Sequence, residues 1–179
     1  ERYGIIPDIC TLGKIIGGGF PLAAVGANSE IMKHFDKEIV GSDGWLMQLG
    51  TLSGNPIASV AGLKTMEILR RPGQYQKLRQ IGKRLQEMQS NILTKGGIDH
   101  QIVGDETLFD VIFANRNCVD YRSTKHDEPT KALKYNKILR EQGILKAPSK
   151  LYPSLAVTDL DLEKTNEAVI TAVKTLTAS

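Results

Sequence analysis

The chain has 179 residues, of which 41% are hydrophobic, and a formal net charge of +3. This content is enough for a sizeable core and argues against a disordered chain. The 23 basic and 20 acidic residues are interspersed, so no basic tract typical of nucleic-acid binding occurs. No uninterrupted apolar stretch approaches the roughly 20 residues of a membrane span. Cys10 and Cys118 make no disulfide framework, which predicts a reducing, cytoplasmic location.

The N-terminal part is predicted to contain short strands joined by a glycine turn. Residues 8–12 are largely apolar and partly β-branched, which favours a strand. Residues 17–21, with three consecutive glycines, predict a tight irregular turn because glycine allows backbone angles that other residues avoid. Residues 22–25 are expected to form a second buried strand. Ser29 is expected to cap a short helix over residues 30–35.

Two helices are predicted in the middle of the chain. The first begins at Asn55-Pro56, where Asn caps and Pro takes the first helical position, and ends at residues 71–73. Its apolar residues lie on more than one face, which predicts deep burial. The second carries one narrow apolar stripe and ends at residues 95–97; the stripe consists of Leu78, Ile81, Leu85, Met88 and Ile92. We place a domain boundary between these helices, with residues 1–72 and 73–179 on either side.

The C-terminal part has an α+β pattern. Alternation over residues 109–113 predicts a strand, and residues 129–142 predict a helix that stops at Gly143. Residues 151–157 are strand-like. Thr158 and Asp161 resemble a capping box that opens the final helix. The whole chain is therefore predicted to be α/β, with a smaller α+β unit at its C-terminal end.

Lys14 is the first candidate for chemistry. It lies where a strand ends and a glycine turn begins, so it can be held rigidly. A desolvated lysine loses its proton more readily, and the neutral amine attacks a carbonyl to make a Schiff base. The ordinary alternative is an exposed surface lysine. A phosphate loop is excluded, because its pattern needs Gly where Asp8 stands and Ser or Thr where Ile15 stands.

Other common sites find no support in the sequence. The dinucleotide pattern that starts at Gly17 fails at Leu22. The three histidines are scattered and neither cysteine has a close partner, so we predict no metal site.

Residues 50–56, Gly-Thr-Leu-Ser-Gly-Asn-Pro, are the second candidate. They place hydroxyl and backbone N–H groups just before a helix start, where unpaired N–H groups and the helix dipole favour an anion. Helix capping without a ligand is the alternative.

Together the two segments resemble the class III aminotransferases. Residues 7–21 are similar to the cofactor-lysine segment of that family, and residues 50–56 to its second signature, in the expected order. Both are closest to the glutamate-1-semialdehyde aminomutase branch. The resemblance implies the C-terminal part of a fold-type-I enzyme that uses pyridoxal 5'-phosphate and acts as a homodimer on a small amino or keto substrate. It implies that Lys14 is the Schiff-base lysine and that Thr51 binds the cofactor phosphate of the neighbouring subunit.

The sequence also departs from the family pattern. Residues 146–150 read Lys-Ala-Pro-Ser-Lys, without the Arg that many transaminases use to bind a substrate carboxylate. The acidic residue usual in aminomutases after Pro-Ser is also absent, which favours a transaminase over an aminomutase. A non-catalytic phosphate-binding or dimerisation module of the same fold is the third alternative. The family's ring-stacking aromatic and its Asp partner lie upstream, so we expect the chain to lack the half needed for activity.

Overall fold

A computed structural model describes residues 3–178. They form two compact units, the first ending at Arg71 and the second beginning at Pro72. No helix within the described residues is both long enough and apolar enough to cross a bilayer.

A two-stranded antiparallel sheet opens the first unit. Strand β1 (Ile9–Leu12) pairs with strand β2 (Ala24–Ala27), with Ile9 opposite Ala27. The predicted first strand is therefore confirmed. The second was predicted at residues 22–25 and as buried; it starts two residues later and is mostly exposed. The Leu22 N–H donates to Phe20 O at 2.9 Å, and this turn keeps Leu22 out of the ladder.

Two short helices follow β2. Helix α1 (Ser29–Met32) continues as a 3-10 turn, Lys33–Phe35. Its cap is Asn28, whose side chain accepts from Ile31 N at 3.0 Å, so the prediction of Ser29 as cap is wrong by one residue. Helix α2 (Lys37–Gly44), interrupted at Gly41 by a φ of +74°, was not predicted from the sequence. A glycine with positive φ breaks the helical periodicity that would have revealed it.

Helix α3 (Pro56–Leu69) starts where the sequence predicts. The Asn55 side chain accepts from Ala58 N at 3.0 Å, which confirms the cap. The predicted deep burial is wrong for this chain, because α3 buries only Ala58 and Gly62. Ile57, Val60 and Leu63 are exposed, with 63%, 66% and 71% of each residue accessible, and Met66, Ile68 and Leu69 are half-buried.

The second unit begins with helix α4 (Gln74–Lys95) and a hairpin. The predicted stripe is confirmed as the inner face of α4, where Ile81 and Leu85 are buried. Strands β3 (Gln101–Asp105) and β4 (Leu108–Ile112) pair antiparallel. The sequence predicted β4 within one residue and missed β3.

Helices α5 (Pro129–Glu141) and α6 (Asp159–Thr177) complete the unit and confirm both predictions. The capping box is present, because Thr158 and Asp161 each accept from the other's backbone N–H. The predicted strand over residues 151–157 is wrong: only Leu151 pairs, through a bridge to Phe109. Pro153, which has no N–H to donate, prevents continuation of the ladder.

The main core of the second unit lies between α4, β4, α5 and α6. It closes around Tyr135, whose ring meets Phe113 edge-on at 5.3 Å between centroids. The Tyr135 hydroxyl donates to the Gln89 side chain at 3.0 Å, which satisfies both buried polar groups. The fully or nearly fully buried apolar members include Leu93, Val111, Leu139, Val169 and Ala172.

Candidate functional site

Lys14 lies two residues after the end of β1, as the first residue of a 3-10 turn, Lys14–Gly17. Its φ is +57°, and it is the only non-glycine residue with positive φ among those described. Such a conformation costs free energy and persists where the surrounding structure fixes it. The Lys14 side chain is exposed and makes no hydrogen bond or ion pair within the described residues. Its amine is therefore presented at a fixed point of the backbone and is available to a ligand.

The glycine turn after Lys14 is stabilised by its own hydrogen bonds. Gly18 takes a left-handed conformation, and its N–H donates to Ile15 O at 3.1 Å. Phe20 N donates to Gly17 O at 3.0 Å. The predicted tight turn is confirmed, and its left-handed φ at Gly18 is the reason that glycine is needed there.

The Thr51 loop, defined as residues 50–55, is a pair of overlapping turns. Ser53 N donates to Gly50 O at 2.9 Å, and Asn55 N donates to Leu52 O at 3.1 Å. The Thr51 hydroxyl is exposed and has no partner among the described residues. The loop runs directly into the N-terminus of α3, so the exposed Thr51 hydroxyl lies near the positive end of the helix dipole. This arrangement suits an anion.

A cavity of about 350 Å³ lies between the Thr51 loop and the segment before β2. Leu22 lines it from one side and Thr51 from the other, whereas Lys14 is not among its lining residues. Lys14 and Thr51 thus belong to the same unit, and the cavity that Thr51 borders is lined without Lys14.

A buried ion pair in the second unit escaped the sequence analysis. Lys146 Nζ lies 3.2 Å from Asp110 Oδ1, with side chains 5% and 11% exposed. The same amine donates to Asn136 Oδ1 and to Ala147 O, both at 2.9 Å. Burial raises the pKa of Asp110 despite the attraction of Lys146. The signal in the sequence was an Asp inside the otherwise apolar run of residues 109–114.

Lys146 occupies part of the segment in which many transaminases carry an Arg. Its amine is committed to Asp110, Asn136 and a carbonyl, so it is not free to bind a substrate carboxylate. Asp110 also lines a cavity of about 510 Å³, together with His126 and Lys150. Burial lowers the pKa of His126, whose Nδ1 accepts from Phe113 N at 3.1 Å.

Within residues 3–178 no group of three or more His, Cys, Asp or Glu side chains could hold a metal ion. The histidines instead have local partners: His34 bonds to Gly44 O at 2.7 Å, and His100 bonds to Ser90 Oγ at 2.9 Å.

Comparison with solved structures defines the class of fold. An omega-transaminase from Sphaerobacter thermophilus superimposes with a TM-score of 0.87 at 29% identity, over 98% of this chain and 40% of that one. A structure described as a transaminase with PLP bound gives a TM-score of 0.81 at 24% identity, over 98% and 40% of the two chains. The fold is therefore the C-terminal part of the transaminase fold, as the sequence predicted.

The family model for class-III aminotransferases matches residues 1–173, and the chain belongs to this family. A curated relative, glutamate-1-semialdehyde 2,1-aminomutase 2 from Brevibacillus brevis, is 38% identical over 177 residues. That match covers 97% of this chain and 40% of the relative. The chain thus spans about two fifths of the length of the curated relative.

Proposed function

We propose that the complete protein containing this chain catalyses amino-group transfer with pyridoxal 5'-phosphate, and that Lys14 is the residue to which the cofactor is attached. The observation that carries the proposal is the backbone of Lys14. A lysine held in the left-handed region at a strand end, with an unpartnered exposed amine, is what a fixed covalent anchor requires. Membership of the class III family supplies the reaction class.

The described residues suit the cofactor in two places. The Lys14 amine offers the nucleophile, and the Thr51 loop offers a hydroxyl near the start of α3. We propose that Thr51 binds the cofactor phosphate across a homodimer interface, as the resemblance to class III aminotransferases implies; the exposed Thr51 hydroxyl, which has no partner among the described residues, supports the proposal. The first unit would then be the end of the large cofactor-binding domain, and the second the small C-terminal domain.

When bound, the cofactor supplies an electron sink for negative charge at the substrate carbon. The residues of this chain would bind the cofactor and transfer protons. In its neutral form the Lys14 amine can bind the cofactor, and once displaced by a substrate amine it can carry a proton as a general base. The fixed turn around Lys14 limits where that proton is taken up and released.

A transaminase with separate amino donor and acceptor is the first assignment, and an aminomutase is the second. The 38% identity to an aminomutase favours the second, while the loss of the acidic residue after Pro148-Ser149 favours the first. The two differ in stoichiometry, because only a transaminase needs a second substrate to complete its cycle.

The test uses the complete protein loaded with pyridoxal 5'-phosphate. Borohydride reduction followed by mass spectrometry should place the added mass on the peptide that contains Lys14. Lys14→Ala should lose the covalent label and several orders of magnitude of turnover. A label on another lysine, or near-normal turnover of Lys14→Ala, would contradict the proposal. Turnover with and without an added keto acid then distinguishes transaminase from aminomutase.

A further inference from the structure

We infer that Gly62 and Thr65 of α3 are positioning residues for Lys14, acting through the glycine turn. This inference rests on the proposed role of Lys14. Neither residue belongs to the segments that suggested a cofactor site, and both contact the turn from the middle of α3 rather than from its N-terminus.

The first contact joins Gly18 to Thr65. A Cβ on Gly18 would lie 2.5 Å from Thr65 Oγ1 and 3.3 Å from Ala61 O. Thr65 is itself fixed, since its hydroxyl donates to Ala61 O at 2.9 Å. The turn therefore lies against α3 at a distance that only glycine permits, and its position is set by a side chain that cannot move freely.

The second contact joins Gly62 to the two ends of the turn. A Cβ on Gly62 would overlap Leu22 Cδ2 and would lie 3.1 Å from Ile16 O. Ile16 precedes the glycines and Leu22 follows them, so a single helical position touches both sides of the turn. Gly62 is one of the two buried residues of α3, although glycine disfavours a helix interior. The close approach of Leu22 and Ile16 to α3 explains why a glycine occupies position 62.

These contacts account for the backbone of Lys14. A lysine takes positive φ only where its surroundings over-determine it, and Lys14 opens the turn that Gly62 and Thr65 hold. If the turn moves off α3, Lys14 can relax to an ordinary conformation, and its amine then leaves the point at which it would meet the cofactor. The expected defect is in cofactor binding, with the fold retained.

The experiment measures the affinity of the complete protein for pyridoxal 5'-phosphate and the pH midpoint of its visible absorbance band. Both are measured well below the unfolding temperature, where a merely destabilised variant would match the unsubstituted protein. Gly62→Ala should weaken affinity at least about tenfold, or ~1.4 kcal/mol, and should shift the midpoint. Helix propensity alone would favour this variant. Gly26→Ala is the matched control, because nothing lies within 4 Å of a Cβ at that β2 position.

Rescue distinguishes a specific contact from general damage. Leu22→Ala removes the atom that a Cβ on Gly62 would overlap, so Gly62→Ala/Leu22→Ala should bind within about threefold of Leu22→Ala alone, a difference below ~1 kcal/mol. Should Gly62→Ala fail to fold, Thr65→Leu, which pushes on Gly18, should show the tenfold loss. Thr65→Val keeps the volume and should not. Affinity equal to the Gly26→Ala control in both Gly62→Ala and Thr65→Leu would overturn the inference, as would a loss that Leu22→Ala does not rescue.

The outcome also separates this inference from the proposed function. If borohydride places no label on Lys14 of the unsubstituted protein, the proposed function fails. If Lys14 is labelled in the unsubstituted protein, and both Gly62→Ala and Thr65→Leu bind the cofactor as tightly as Gly26→Ala, the proposed function stands and the positioning role alone is refuted.

Discussion

Lys146→Met tests the buried ion pair of the second unit. The substitution keeps most of the side-chain volume and removes the amine that lies 3.2 Å from Asp110 Oδ1. Only 5% of Lys146 and 11% of Asp110 is exposed, so the pair is largely removed from solvent. Breaking such a pair by removing one member costs about 3–5 kcal/mol. We expect this loss in the unfolding free energy of the second unit at pH 8.

The same loss should be smaller at low pH. Burial already raises the pKa of Asp110, and removing Lys146 raises it further. A carboxyl whose folded pKa exceeds its unfolded value stabilises the fold below the unfolded pKa, and that stability is lost as pH rises through the folded pKa. The folded variant therefore binds a proton at Asp110 more readily than the unfolded chain as the pH falls towards 5, which offsets part of the cost seen at pH 8.

Hydrogen exchange of the β4 and α5 amides in the complete protein measures this unfolding free energy at both pH values. Lys137→Met is the control, because its pair with Glu141 lies at 3.8 Å with side chains 75% and 58% exposed. Exposed pairs contribute about 0–1 kcal/mol. The reasoning fails if Lys146→Met costs no more than Lys137→Met, or if its cost does not change between pH 5 and pH 8.

Three further predictions concern single residues. Thr51→Ala should weaken affinity for pyridoxal 5'-phosphate about 10- to 150-fold, because a hydrogen bond to a charged group contributes about 1.5–3 kcal/mol. Thr51→Ser keeps the hydroxyl and should weaken affinity only slightly. Unchanged affinity in Thr51→Ala would show that Thr51 is a loop residue with no role in binding the cofactor. Thr158→Ala removes the capping box of α6 and should cost about 1 kcal/mol in urea denaturation, and no change would deny the cap any role. Burial lowers the pKa of His126, so neutral His126 should stabilise the fold at pH values above its unfolded pKa, and this stabilisation should be lost as the pH falls through the folded pKa. In thermal unfolding, His126→Gln should therefore reduce the dependence of the melting temperature on pH on the acid side.

Local chemistry made much of the fold predictable. Three helix ends were predictable from a side chain or a backbone angle within a few residues. They are the start of α3 at Asn55-Pro56, the start of α6 at Thr158 with Asp161, and the end of α5 at Gly143. The apolar stripe of α4 was predictable because the helix buries only one of its faces. These features depend on short-range interactions, which a single sequence displays directly.

The failures involve tertiary context. Strand β3 is half-buried and has no clear alternation, and only its pairing with β4 defines it. The apolar residues of α3 predicted burial, yet within this chain the helix buries its small residues instead. The Lys146–Asp110 pair joins positions 36 residues apart, which no local pattern could connect.

The candidate site shows the same difference between features set by local sequence and features set by tertiary contacts. Lys14 and Thr51 were visible in the sequence because each lies in a compact motif. The contacts of Gly62 and Thr65 were not, since a glycine in an apolar helix looks only like a weak helix former.

Helix α3 links the two parts of the candidate site through Leu22. The Leu22 side chain lies where a Cβ on Gly62 would be, and it also lines the cavity that Thr51 borders. A displacement of Leu22 should therefore affect both Lys14 and the Thr51 loop. Asn55→Ala, which removes the cap at the start of α3, should disturb the Thr51 loop first and leave the contacts at Gly62, two turns further on, in place. We accordingly expect Asn55→Ala to weaken cofactor affinity without shifting the pH midpoint of the absorbance band, whereas Gly62→Ala changes both. An identical pair of changes in the two variants would show that α3 responds as one rigid element rather than through two separate contacts.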